Sequence, residues 1–367
     1  MSDVTNTEKP QLNCISKRIV HIDMLRIIAA FFVIFNHTGK SGFTMFLSYK
    51  SSSFAYWFYL CFSVLSKVSV PIFFMISGAL LLNKEQEPYK KILFRELRIF
   101  VVLFVFSVLS YSQQIYIGAE KFSIKNFVKV FISSTWMSPY WYLYAYLGFL
   151  LTLPLLRRLA NSMTKKDYIY LISLVVVVTG IVPIFLYLMT DGKLKLNSNF
   201  SISWIASQVC FYPLIGFFLE RMVDIKKVSN KLLAIIWFIN LLSVLLTCYT
   251  TYYNNKLTKS FPQIFLMSLT AINAICLYIT LKKLFINVDQ NNIFTRIIQL
   301  FGSCTFGIYL FHGLLLRAPD ISLYLKFDSI FKSFPLIKIT LRCIEIMIIA
   351  GAVTYVLKKI PIIKRLL

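Results

Sequence analysis

Apolar residues come along this chain in long unbroken runs, not in the short periodic patches of a soluble helix or strand. Runs such as 171–189 and 232–246 approach the length of helix that crosses a hydrocarbon core, about 20 residues. Taken in order, such runs predict ten spans, near 20–38, 55–82, 97–115, 140–157, 168–189, 204–220, 232–252, 261–281, 297–316 and 337–357. Pro71 lies inside the long second run and predicts a kink or a short extra helix there. The residues ahead of the first run are polar, and no small-residue cleavage site follows, so that run is expected to be a retained span. The expected fold class is all-α: a polytopic transmembrane helix bundle of about ten spans, with both termini cytoplasmic. Its parts are a tail over 1–18, a membrane domain over 19–358 and a second tail over 359–367.

Composition supports this reading. Of 367 residues, 58% are hydrophobic and only 15% charged, against about 25% charged in a soluble domain. The net charge of +24 would suggest nucleic acid on a soluble protein. Here the basic residues flank apolar runs. With the N-terminus in the cytoplasm, 23 of the 39 Lys and Arg residues fall on the cytoplasmic face, as the positive-inside rule requires. The charge is therefore read as topology and contact with anionic membrane lipids, with no nucleic-acid partner expected. Seven cysteines form no CxxC pair and mostly lie inside apolar runs, and there are three histidines. A disulfide framework or a metal site is not expected. A GxSxG elbow with its acid, a P-loop and a GxGxxG turn are all missing, which removes support for soluble-type hydrolase or nucleotide chemistry.

Ionisable groups within a span are costly and by default face a cavity or a partner. The first span carries Asp23, Arg26 and, eleven residues after the arginine, His37. Eleven residues make close to three turns, so Arg26 and His37 share a face while standing roughly 16 Å apart along the axis. Asp23 is placed to pair with Arg26, and about 21 Å of helix keeps it from orienting His37 directly. A polar channel along this face explains the set; an interfacial ion pair with His37 at the helix end is the plainer account. After the second span, Arg95 and Arg98 share a helical face at the cytoplasmic mouth. Two guanidinium forks suit phosphate groups, although a positive flank against lipid has the same composition. Lys67 lies in the second span. Arg342 and Glu345 are spaced to pair with each other, and His312 is read as a buried, hydrogen-bonded core histidine.

Together these segments resemble the bacterial membrane acyltransferase 3 family. Arg26 followed by His37 resembles its Arg/Lys-x10-His motif, Val70-Pro71-Ile72-Phe73-Phe74-Met75-Ile76-Ser77-Gly78 its second-span signature, and Arg95-Glu96-Leu97-Arg98 its RxxR motif. Tyr140-Trp141-Tyr142-Leu143 with Pro154 is similar to its fourth-span pattern, and Phe306-Gly307-Ile308-Tyr309-Leu310-Phe311-His312 to its late signature. The resemblance covers nearly the whole chain, in the family's order. It implies a multi-pass O-acyltransferase of the bacterial cytoplasmic membrane, in the stand-alone form without an SGNH domain. Such an enzyme moves an acyl group, acetyl first among them, from cytoplasmic acyl-CoA to a glycan or lipid-linked sugar acceptor.

On that basis Arg95 and Arg98, with Arg26, are expected to hold the CoA phosphates. His37 is expected to act as general base, or alternatively to carry the acyl group itself, with Arg26 sharing the catalytic site. Asp23, Lys67, Trp141 and Tyr142 are candidate substrate-binding groups. Acetyl-CoA or another acyl-CoA would be a co-substrate, with no permanently bound cofactor. The other function class compatible with buried Arg, His and Lys is a transporter or flippase of an anionic or glycolipid substrate.

Overall fold

The structure is a computed structural model that describes residues 19–84, 87–258, 268–289, 292–318 and 335–367. Every regular element among the described residues is helical. Five helical stretches are long and apolar enough to cross a membrane by length and composition: Phe54–Leu81, Ser138–Ser162, Lys165–Thr190, Asn230–Thr258 and Ile293–Leu316. Helix α1, Val20–Asn36, has 17 residues and is shorter than a full crossing at about 1.5 Å per residue.

At the expected kink in the second span the α-helix is interrupted for two residues. Phe54–Ser66 (α2) and Ser69–Leu81 (α3) are separate helices joined at Lys67 and Val68. Pro71 falls in the first turn of α3, where its missing N–H is tolerated, but it leaves the Lys67 carbonyl without a helical donor. Asn36, the last residue of α1, stitches the break: its amide donates to the Ser66 carbonyl at 3.0 Å and to Ser69 Oγ at 3.2 Å. Ser66 Oγ donates back to Asn36 Oδ1 at 2.8 Å.

Helix α1 is the hub. It packs against α2, α3, α12 (Thr270–Leu284), α13 (Ile293–Leu316) and α14 (Pro335–Leu357). The remaining elements are α4 (Tyr89–Tyr116), α5 (Ile124–Ser133), α6 (Trp141–Ser162), α7 (Lys165–Val175), α8 (Val182–Thr190), the single turn α9 (Ser203–Ala206), α10 (Gln208–Arg221), α11 (Asn230–Thr258) and α15 (Pro361–Leu366). The closest crossing is that of α3 with α10. A Cβ on Gly78 would stand 1.9 Å from the Pro213 carbonyl oxygen, and one on Gly216 1.9 Å from that of Met75. Small residues are what let two backbones approach this closely between helices.

Helix α11 is polar on its inner face and apolar on its outer one. Asn240, Ser243, Thr247, Thr251 and Asn254 are buried, while Trp237, Phe238, Leu241 and Leu245 are exposed. Water would favour the reverse; a lipid surround favours this arrangement, because polar groups then find partners only inside the bundle. Ser243 Oγ, for instance, donates to Asn273 Oδ1 on α12 at 2.9 Å.

Helix α5 lies between two predicted spans. It exposes Ile124, Val128 and Ile132 and turns Phe127 and Phe131 onto Phe104 of α4, which suits a short helix lying in a membrane interface. The six described cysteines are free. Cys61 and Cys248 approach to 3.5 Å between sulfurs, a pairing that the spacing of cysteines does not announce.

Candidate active site

The N-terminal half of α1 supplies Asp23 and Arg26. Asp23 is buried, and Arg26 Nη1 donates to its Oδ1 at 2.8 Å. Gly302 on α13 makes room for that carboxylate, since a Cβ there would stand 2.6 Å from Asp23 Cβ. The predicted pair therefore forms, and it directs Arg26 into a cavity of about 390 Å³. Arg98, Ser77, Tyr142, Tyr146 and Tyr309 line the same space.

The two arginines of the RxxR segment part company. Arg95 is bound through both nitrogens to Glu87, at 2.5 and 2.8 Å. Glu87 also accepts from Arg157 Nη2 at 3.1 Å, and Arg157 is itself buried with Nε on the Leu81 carbonyl at 2.9 Å. The guanidinium of Arg95, with Arg157 behind it, holds the Glu87 carboxyl down at about 2. Arg95 is not among the residues lining the cavity; Arg98 is. Arg98 donates Nε and Nη2 to the Leu366 carbonyl of α15, each at 3.2 Å, and Leu367 sits beside it in the cavity wall.

His37 caps the other end of α1. Its Nδ1 lies 2.7 Å from the Val33 carbonyl oxygen, and a carbonyl only accepts, so Nδ1 carries a proton and in the neutral ring Nε2 keeps its lone pair. The His37 ring packs against that of His312 with centroids 5.3 Å apart. His312 is fully buried. Its Nδ1 is 2.5 Å from the Tyr309 carbonyl, and its Nε2 has no hydrogen-bond partner among the described residues. A row of rings connects this pair to the cavity: Tyr146 to Tyr142 at 5.8 Å, Tyr142 to Tyr309 at 5.5 Å, and Tyr309 to His312 at 5.7 Å.

The remaining predicted residues divide. Lys67, at the α2–α3 break, places its ammonium 4.1 Å from the centroid of the Phe43 ring and within electrostatic reach of His37. Tyr142 lines the cavity. Trp141 points elsewhere, is 40% exposed, and is not among the lining residues. Arg342 and Glu345 pair at 3.0 Å as their spacing requires.

The site thus brings together Asp23, Arg26, Arg98 and Tyr142 at one level and His37 with Lys67 at another, and it adds His312, Tyr146 and Tyr309. His312 is buried and hydrogen-bonded as the sequence predicts; its contact with His37 is what the sequence does not announce, and the available signal is its place near the end of α13, a helix packed along α1 whose own end carries His37. Among the described residues no three His, Cys, Asp or Glu side chains converge as a metal site. The arrangement can hold an anion on Arg26 and Arg98, and it can accept a proton at His37 Nε2.

A family model described as an acyltransferase domain matches residues 19–338. No curated protein and no solved structure matches the chain.

Proposed function

Since this chain belongs to the acyltransferase 3 family and is a membrane acyltransferase, we propose that it transfers an acyl group, acetyl first, from cytoplasmic acyl-CoA to a hydroxyl of a cell-surface or lipid-linked glycan. The observation that carries this reading is the row of rings joining a two-arginine cavity to a histidine pair with open Nε2 atoms. It suits a long, thin substrate that is anionic at one end and reactive at the other.

Arg98 and Arg26 hold the CoA phosphates through charge-assisted bonds. The Leu366 carbonyl is a neutral acceptor that phosphate oxygens can replace on Arg98. Arg95, committed to Glu87, stiffens the first turns of α4 that present Arg98. The pantetheine arm follows the tyrosines toward His37. There His37 Nε2 takes the proton of the acceptor hydroxyl as its oxygen attacks the thioester carbonyl. The C–O bond forms, the C–S bond breaks, and the CoA thiolate leaves and recovers the proton. Lys67 offers a positive charge to the developing oxyanion. His312 fixes the ring of His37 by contact, and Asp23 fixes Arg26.

This reading places the chain in the bacterial cytoplasmic membrane with ten spans. The ten are α1, α2 with α3, α4, α6, α7 with α8, α10, α11, α12, α13 and α14, and both termini are cytoplasmic. The family match favours the enzyme over the transporter.

The test is CoA release from acetyl-CoA by the protein in lipid nanodiscs, with and without cell-envelope glycan. Acceptor-dependent release by wild type that disappears in His37→Ala supports the proposal. Absence of release over a panel of acyl donors and acceptors overturns it.

A further inference from the structure

A second cavity, of about 310 Å³, lies at the His37 end of the bundle, between the turns that follow α1, the start of α2 and the last turns of α11. Tyr49, Tyr56 and Tyr252 supply its rings, and Ser51, Asn255 and Lys256 its polar groups. None of these residues lines the arginine cavity.

The aromatic walls are braced from behind. Tyr49 stacks on Tyr59 at 5.3 Å with planes 16° apart. Tyr252 leans on Trp57 at 5.2 Å, and Trp57 Nε1 donates to the Ser51 carbonyl at 3.0 Å. Tyr56 meets Tyr252 edge-on at 6.1 Å and packs against Phe46 at 5.6 Å. It is 2% exposed, and its hydroxyl faces the Asn255 side chain, which lines the same cavity.

Fixed aromatic faces with a few neutral hydrogen-bonding groups at their edges match a hydroxylated ring, whose C–H faces are apolar and whose rim is polar. The volume is at the lower end of ligand cavities, which run from roughly 300 to 1,000 Å³, and so takes a small sugar unit. Among the described residues no carboxylate lines the cavity, and Lys256 tolerates an acidic substituent on that sugar. The connection that carries Leu47 and Tyr49 is the one that leaves α1 at His37, so the cavity and the base are joined by one short segment of chain.

We propose that this cavity docks a saccharide unit of the acyl acceptor, on a site separate from that of acyl-CoA; the inference rests on the acyltransferase reading above. It is tested by equilibrium binding of radiolabelled neutral disaccharides of glucose, galactose and N-acetylglucosamine. The protein is held in nanodiscs free of glycoside detergent, with no acyl donor present. At least one disaccharide is expected to bind at millimolar concentration or below. Its binding should weaken about tenfold or more in Tyr252→Ala and in Asn255→Ala, and should stay close to wild type in Tyr252→Phe, which keeps the ring. No binding, or binding indifferent to both alanine variants, overturns the inference. Saccharide binding without CoA release would leave this site standing and sink the acyltransferase mechanism. Glycan-dependent CoA release with an acceptor KM unchanged in both variants would do the opposite.

Discussion

Around the Arg26 end of α1, the guanidiniums of Arg26, Arg95 and Arg157 are set against the carboxylates of Asp23 and Glu87, and that of Arg98 against a neutral backbone carbonyl. Around the His37 end, the described neighbours are rings and backbone carbonyls, with Lys67 the nearby charge among them. One helix therefore carries a site with surplus positive charge and, roughly 16 Å farther on, a site built to keep an imidazole in a chosen tautomer. The difference teaches a division of labour. Surplus guanidinium in a partly enclosed cavity calls for an anionic ligand, because buried charge without a partner is costly. An imidazole held at Nδ1 by a carbonyl calls for a proton at Nε2.

If the two ends do separate jobs, their variants should fail in separate ways. The largest effect is expected for His37→Ala, whose acceptor-dependent turnover should fall by about 100-fold or more, the range of a lost general base. The KM for acetyl-CoA should barely move, and a large rise in it would merge the two ends. Arg98→Ala comes next. Losing charge-assisted bonds worth about 1.5–3 kcal/mol should raise the KM for acetyl-CoA by about 10- to 100-fold, with kcat within a few-fold of wild type. Arg95→Ala should raise that KM less than Arg98→Ala does, since its guanidinium is spent on Glu87; equal effects would restore Arg95 as a direct phosphate ligand.

Gly302→Ala sharpens the comparison from a third side. The added methyl collides with Asp23, an overpacking of about 1–3 kcal/mol. It should lower thermal stability and disturb the donor KM before it touches turnover at saturating donor. The smallest effect is one of pH on stability. Arg95 and Arg157 depress the Glu87 carboxyl from 4.5 to about 2, so its contribution is present above the unfolded value and lost as pH falls through the folded one. The gap in thermal midpoint between wild type and Glu87→Gln should be flat from pH 8 to pH 5 and should close between pH 4.5 and pH 2. A gap that closes near pH 7 would mean that Glu87 is not the group holding Arg95.

What the sequence made legible was whatever depended on spacing within one helix. Arg26 with Asp23, Arg342 with Glu345, and the interruption at Pro71 all follow from 3.6 residues per turn and from proline's missing donor. Partners brought from distant segments were not legible. Arg95 and Arg98 share a face by spacing, yet Glu87 and Leu366 send them to different tasks. His312 is buried as expected, but its contact with His37 joins residues 275 positions apart, which no local spacing announces. Trp141 and Tyr142 are adjacent in sequence and so point apart on a helix, which is why only the tyrosine reaches the cavity. Helix α5 is too short and too polar to register as a span, and only its packing on α4 shows what it is.

The most direct test of the two-ended account is the equilibrium dissociation constant for acetyl-CoA, measured without acceptor on wild type, His37→Ala and Arg98→Ala in nanodiscs. The account predicts that His37→Ala binds acetyl-CoA as wild type does while Arg98→Ala binds it about tenfold more weakly or worse. Full-strength binding by Arg98→Ala, with binding lost in His37→Ala, would contradict it.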